Sequence, residues 1–251
     1  MNALVIENLN KSYPGFDLSD ISFSMREGRI MGLIGKNGAG KSTIIKSILN
    51  MVKKDSGNVC VLNYDFYKEE RQWKQEIGVV LGGIDFYNLK KLSTISKVTK
   101  RFYTQWNEET YQSYMKYFDL DEKKKFKDLS NGMKVKYLIT LALSHQAKLL
   151  IFDEPTSGLD PVSRDELIHL FQMLVKNNDV SILFSTHIIS DLEKCADEIT
   201  YIQKGRLLVS CDKESFINKY QYLKEDHEEN ITMEEIMVRL ERRSGNEEFI
   251  V

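Results

Sequence analysis

The sequence predicts an α/β fold: a parallel sheet core with a small antiparallel β-subdomain, an all-helical insertion and a short C-terminal helical extension. Three observations predict it. Short apolar runs recur at residues 29–34, 149–152, 181–185 and 198–203, as in strands buried on both faces. Between about residues 88 and 146 no strong strand signal is present, and the stretch reads as several helices rich in Lys, Tyr and Phe. The first buried strand runs into Gly35-Lys36-Asn37-Gly38-Ala39-Gly40-Lys41-Ser42, a complete G-x-x-x-x-G-K-[ST] loop.

The elements follow in order. Residues 3–9 and 18–25 alternate or cluster apolar side chains, as edge strands of a small antiparallel sheet do. Gly28 turns the chain into the strand Arg29 to Ile34. The glycine-rich loop makes the core one of P-loop NTPase type, and Thr43 to Asn50 reads as its helix. Asp55-Ser56-Gly57 is a turn, and Val59 to Leu62 returns as a strand. Residues 68–76 are charged and helical. Ile77 to Leu81 is a strand, broken by Gly82-Gly83. Beyond the insertion, helices at 162–176 and 188–195 separate the remaining strands. Near the C-terminus Thr232 and Glu235 form a capping box. Met233, Ile236, Met237 and Leu240 then make one face of an amphipathic helix docked on the domain, and 244–251 are expected to fray.

Composition bounds the function. The chain has 251 residues, enough for one large α/β domain or two small ones. A 42% hydrophobic content with three prolines argues for a packed core. A formal net charge of −2 argues against a nucleic-acid partner. Lys123-Lys124-Lys125 is flanked by Asp121, Glu122 and Asp128 and reads as a solvated helix end. Cys60, Cys195 and Cys211 form neither a disulfide framework nor a zinc pattern. The N-terminus lacks the features of a signal peptide, and no apolar stretch approaches the ~18–20 residues that span a bilayer. The expectation is a cytoplasmic protein that meets a membrane only through a partner.

The chemistry concentrates in four motifs in fixed order. In the first, glycines let backbone N–H groups approach phosphate oxygens at a helix N-terminus. Gly35, Asn37, Gly38, Ala39, Gly40, Lys41, Ser42 and Thr43 are the candidate nucleotide-binding residues. Lys41 supplies a point charge for the β- and γ-phosphates, and the Ser42 hydroxyl a ligand for Mg²⁺. The second motif is Leu129-Ser130-Asn131-Gly132-Met133. The third, Leu149 to Pro155, is an apolar strand ending in two carboxylates at the carboxyl edge of the sheet. There Asp153 orients Mg²⁺ and Glu154 polarises the attacking water. The fourth, Ser185-Thr186-His187, ends another strand.

As an ordered set over residues 3–210, these motifs resemble the ATP-binding subunit of an ABC transporter. The resemblance implies an ABC ATPase domain over 1–210, with the helical subdomain of about 88–146 inserted in a RecA-like core, and a C-terminal extension over 211–251. It makes ATP and Mg²⁺ the cofactors and Glu154, His187 and Lys41 the catalytic residues. His187 matches the switch histidine that touches the γ-phosphate. Tyr13 stands in the place of the adenine-stacking aromatic. Residues 129–133 resemble the signature LSGGQ, which contacts ATP held by the opposite subunit through Ser130 and Gly132. Asn131 replaces a Gly there, being a residue that tolerates left-handed dihedrals, and Met133 replaces a Gln. Asp160, in Ser157-Gly158-Leu159-Asp160, matches the D-loop at the subunit interface.

The implied partners are a second copy, as a homodimer or alternatively a heterodimer, and a multi-helix transmembrane permease. The chain then sits on the inner face of the cell membrane through that permease. Asn131-Gly132-Met133 resembles the Lys-Gly-Met variant of bacterial ABC-2 exporters, which implies export of peptides, drugs or lipids. Residues 83–106, with Phe86, Tyr87, Tyr103 and Trp106, are where the family holds the permease's coupling helix; alternatively these aromatics are the core of the insertion. At Gly82 the family usually places Gln, so a flexible hinge stands in place of a ligand; Asp85 is a candidate substitute. Two other classes stay open: a soluble ABC ATPase without transport, and a nucleotide-dependent binding module with little turnover.

Overall fold

A computed structural model describes residues 1–81, 88–178, 180–224 and 231–246. The chain opens with a hairpin of β1 (Asn2–Tyr13) and β2 (Phe16–Arg26), which pair antiparallel. Gly15 makes the turn at φ +83°, a region that suits glycine. Leu4, Ile6, Leu9, Leu18 and Ile21 point inward and are fully buried. β3 (Ile30–Ile34) is buried along its whole length and leads into α1 (Lys41–Ile48). β4 (Ser56–Val61) returns to the free edge of β1 and completes a three-stranded antiparallel sheet in the order β2-β1-β4. α2 (Glu70–Gln75) and β5 (Ile77–Val80) follow.

The insertion contains α3 (Leu92–Thr99), α4 (Glu108–Tyr117) and α5 (Asn131–Ser144), with a 3-10 turn at Phe126–Asp128. It has its own small core around Leu92, Ile95, Tyr111, Phe126 and Tyr137. Asn107 Oδ1 caps α4 by accepting from Thr110 N at 2.9 Å.

The chain then re-enters the main sheet through β6 (Leu149–Asp153), α6 (Pro161–Asn178), β7 (Ser181–Thr186), α7 (Ile189–Cys195) and β8 (Glu198–Gln203). The six-stranded sheet has the order β5-β6-β7-β3-β8-β9, where β9 (Arg206–Asp212) lies antiparallel at the edge beside β8. The core sheet is therefore mixed, mainly parallel. Neither β9 nor α8 (Lys213–Lys219) is predicted from the sequence. This edge strand has one buried residue, Val209, and its apolar run, Leu207-Leu208-Val209, is short and sits between Arg206 and Ser210.

The expected boundary at 210/211 falls inside β9. Phe216, Tyr220, Met233 and Ile236 are buried in the same cluster as Phe152 and Phe184. α9 (Met233–Asn246) begins with the expected capping box: Thr232 N donates to Glu235 Oε2 at 2.8 Å, and Glu235 N to Thr232 Oγ1 at 3.2 Å. Among the described residues, no helix is long and apolar enough to cross a membrane.

Candidate active site

Sheet register assembles the site. Asp153 on β6 lies opposite Ser185 on β7, and Ser185 lies opposite Leu33 on β3. The carboxyl ends of three adjacent strands thus deliver Asp153-Glu154, Ser185-Thr186-His187 and the glycine-rich loop to one edge, where open α/β sheets hold ligands.

The loop wraps the start of α1. Gly40 caps the helix at φ +112°, and a Cβ there would lie 2.9 Å from Leu18 Cδ1 and 3.0 Å from Phe16 Cζ. Gly35, Ala39 and Gly40 are buried, whereas Asn37, Gly38 and Ser42 are exposed and Thr43 is half-buried. The turn between β8 and β9 braces the loop from outside. Gly205 N donates to Ala39 O at 3.0 Å, and Ser19 N to Gly205 O at 2.8 Å. A Cβ on Gly205 would fall 1.8 Å from Asp17 O, so only glycine fits.

Lys41 is 5% exposed and folds back into the loop. Its Nζ donates to Gly35 O at 2.7 Å and stands 3.2 Å from Glu154 Oε1. His187 Nδ1 lies 2.8 Å from Glu154 Oε2. A buried ammonium and an imidazole therefore close on one carboxylate. Glu154 itself takes φ +52°, in the left-handed region that costs a non-glycine residue about 1–2 kcal/mol. Backbone strain of this kind gathers where a side chain must be aimed.

Ser185 holds that conformation. Its buried hydroxyl donates to Asp153 Oδ1 at 2.6 Å and accepts from Glu154 N at 3.0 Å; the Ser185 carbonyl also accepts from Glu154 N at 3.2 Å. One residue thus holds the Asp153 carboxylate and the Glu154 backbone. Sequence reasoning places Ser185 within a motif without giving it a role. The available signal is a serine that interrupts the apolar run Ile182-Leu183-Phe184 just before the strand ends, two residues before His187. Ser185→Ala is expected to lower kcat for ATP about 10–100-fold, as loss of a ligand's supporting hydrogen bond does. KM for ATP should change little, and Ser185→Thr should restore much of the rate. Equal kcat in Ser185→Ala and the parent would reduce Ser185 to packing.

The remaining candidates lie apart from this cluster. Ser130 caps α5, its Oγ accepting from Met133 N at 3.2 Å. Asn131 is the first helical residue of α5, so its tolerance of left-handed dihedrals is not used. The left-handed position is Gly158, at φ +73°; Asn131 Nδ2 would stand 3.8 Å from a Cβ there. Gly132 is buried near Ser163. Asp160 Oδ1 accepts from Val162 N at 3.1 Å and Ser163 N at 3.0 Å, capping α6. These bonds, with the Ser163 side chain contributing most, hold its carboxyl below the ordinary value. Tyr13 ends β1 at 39% exposure, with Lys11 Nζ 5.4 Å from its ring centroid. Tyr103 stacks on buried His145 at 3.6 Å between centroids, and Trp106 packs on Tyr111 at 5.4 Å, so both rings serve packing of the insertion. Gly82, Gly83, Asp85, Phe86 and Tyr87 lie outside the described residues.

Two of the clefts among the described residues bear on where a nucleotide sits. The roomier, about 850 Å³, lies at the amino ends of the parallel strands beside Gly28, Lys148 and Ser181. The glycine-rich loop is not among its lining residues, so volume alone does not make it the nucleotide site. The other, about 380 Å³, is walled by Gly35, Lys36 and His187 on one side and by Met237, Val238 and Arg242 of α9 on the other. The C-terminal helix is thus a neighbour of the phosphate loop, which the sequence did not indicate.

The family model for ABC transporters matches residues 18–157, more than half of the chain. The chain belongs to the ABC transporter family. The linearmycin resistance ATP-binding protein LnrL of Bacillus subtilis (strain 168) is 34% identical over 211 residues, covering 82% of this chain and 68% of the relative. The lantibiotic transport ATP-binding protein SrtF of Streptococcus pyogenes is 34% identical over 214 residues, covering 82% and 89%. The bacitracin transport ATP-binding protein BcrA of Bacillus licheniformis is 31% identical over 191 residues, covering 75% and 62%. The solved structure of an ATP-binding subunit of an ABC transporter superposes with a TM-score of 0.82 at 24% identity, covering 95% of this chain and 99% of that one. This ABC subunit is an ATP-binding ATPase chain.

Proposed function

We propose that this ABC ATPase powers export of a peptide, drug or lipid through a separate multi-helix permease, from the cytoplasmic face of the membrane. The observation that carries the catalytic part is the convergence of Lys41 and His187 on Glu154 beside Asp153. The export part rests on relatives named for linearmycin resistance, bacitracin transport and lantibiotic transport.

Each side chain has a role the geometry suits. Backbone N–H groups of Gly35 to Thr43 cradle the phosphates at the start of α1, and Lys41 turns from Glu154 to the β- and γ-phosphates. Glu154, released from that ion pair, takes the proton of the attacking water. His187 holds the γ-phosphate and keeps Glu154 aimed. Tyr13 stacks on the adenine. Asp153 has Oδ1 engaged by Ser185 and leaves Oδ2, which with the Ser42 hydroxyl makes a hard oxygen donor pair. That is the set Mg²⁺ takes when substrate phosphates and water complete its shell. When bound, the ion neutralises charge developing on the phosphates. Ser130, Gly132 and Asp160 stand apart from this cluster and serve the site of a second copy, so two chains enclose two nucleotides. The ATPase domain spans 1–210 and the extension 211–251, with the extension's helices packed on the domain.

The test is isolation of the chain with its membrane fraction. A hydrophobic multi-helix protein should co-purify with it and stimulate ATP hydrolysis. Turnover without any such partner would favour an ATPase that does not transport. Binding without turnover would favour the nucleotide-dependent module, the reading that glycine at position 82 supports.

A further inference from the structure

Two lysine-rich stretches, distant in sequence, are stitched side by side on the helical insertion. Leu92 N donates to Lys124 O at 3.0 Å, Phe126 N to Lys90 O at 2.9 Å, and Lys127 N to Asn88 O at 3.0 Å; Lys91 and Lys125 form an antiparallel bridge. The pairing gathers six lysines, Lys90, Lys91, Lys123, Lys124, Lys125 and Lys127, all exposed. Among the described residues none of the six ammonium groups has a carboxylate within ion-pair distance, whereas Lys100 and Lys136 nearby do. Two of the three flanking acids are engaged by other groups: Asp121 Oδ1 accepts from Lys123 N at 2.9 Å, and Glu122 Oε1 from Gln112 Nε2 at 3.4 Å, which leaves Asp128 against six lysines. Lys123-Lys124-Lys125 is therefore not the balanced helix end that its sequence neighbours suggest. It is half of a basic ledge in the turn ahead of the 3-10 segment Phe126–Asp128.

We infer that this ledge binds the anionic phospholipid surface of the membrane, directly and apart from any permease. Exposed like charges held within one Debye length repel one another, and an extended layer of negative charge relieves that repulsion. Lysine is suited to such a surface, since a flexible point charge matches a diffuse field of headgroups, whereas arginine's rigid fork matches a single bidentate partner. Leu89, 70% exposed and adjacent to Lys90, gives the ledge an apolar tip of the kind that enters the headgroup layer. None of the catalytic residues proposed above belongs to the ledge.

Flotation of the full chain with lipid vesicles tests it. The chain should float with phosphatidylcholine vesicles containing about 30 mol% phosphatidylglycerol and stay behind with phosphatidylcholine alone. Binding should fall steeply between about 0.05 M and about 0.5 M salt, as the Debye length shrinks. Each lysine at an anionic surface contributes roughly fivefold in affinity, so replacing Lys123, Lys124, Lys125 and Lys127 together by Gln should weaken binding about 50–600-fold. A control with Lys53, Lys68, Lys176 and Lys219→Gln removes the same charge from exposed positions elsewhere and should bind like the parent. A nucleotide-induced melting shift preserved in the ledge variant shows that it is folded. No binding of the parent to anionic vesicles, or equal losses in both variants, overturns the inference. Full vesicle binding by the ledge variant together with loss of permease co-purification also overturns it, and assigns the ledge to an acidic protein surface.

Discussion

Glu154→Gln is expected to cut ATP turnover about 10²–10⁴-fold, the usual worth of a positioned general base, while nucleotide binding is kept. The geometry explains the split. Glutamine retains the length and one oxygen of Glu154, so the left-handed backbone at this position and its bonds to Ser185 persist. It lacks the carboxylate that receives the proton of water. It also removes the negative charge 3.2 Å from Lys41 Nζ, which leaves the lysine freer to turn to phosphates. With closure retained and hydrolysis lost, the variant should accumulate as an ATP-bound dimer, visible as a doubled mass by size exclusion with light scattering. Turnover near the parent rate would remove Glu154 from catalysis and direct attention to Asp153.

Lys41→Ala is expected to abolish most of the thermal stabilisation that ATP with Mg²⁺ confers. A ligand that binds only the folded state at about one hundred times its Kd adds ~2.7 kcal/mol. For a chain of this length that raises Tm by roughly 5–11 °C in the parent. Lys41 is nearly buried and held by Gly35 O, so its ammonium is already aimed along the loop before any phosphate arrives. Alanine removes that charge without altering the glycines. The measurement is the melting temperature of parent and variant with and without nucleotide. A shift of equal size in the variant would place the nucleotide elsewhere, the roomier cleft at the amino ends of the strands being the first alternative.

Much of the candidate site was legible in the residues because its parts are local. A glycine-rich turn after a buried strand, or two carboxylates at a strand end, carry their chemistry within a few neighbours. The fold class was legible for a similar reason, since strands buried on both faces carry continuous apolar runs: the whole of Ile30–Ile34, Leu149-Leu150-Ile151-Phe152 within Leu149–Asp153, and Ile182-Leu183-Phe184 within Ser181–Thr186. β9 was not legible, because its apolar run is only Leu207-Leu208-Val209 and, as an edge strand, it buries a single residue. The six-lysine ledge was not either, since each half, read alone, is an ordinary solvated stretch.

The sequence by itself determined the α/β class, the order of the four motifs, and the residue types that can hold phosphate and activate water. It also determined the capping box that starts α9, whose partners lie three residues apart. Tertiary structure alone decided that Ser185 holds both the Asp153 carboxylate and the Glu154 backbone, because that depends on which strands are neighbours and on the register that sets Asp153 opposite Ser185. It alone decided that Glu154 takes a left-handed backbone, that Gly205 braces the phosphate loop, and that α9 stands beside His187. The physical reason is range. Propensity, capping and periodicity act over a turn or two of chain, whereas strand order and register are set by burying whole faces against one another, and residues more than a hundred positions apart meet only as a consequence.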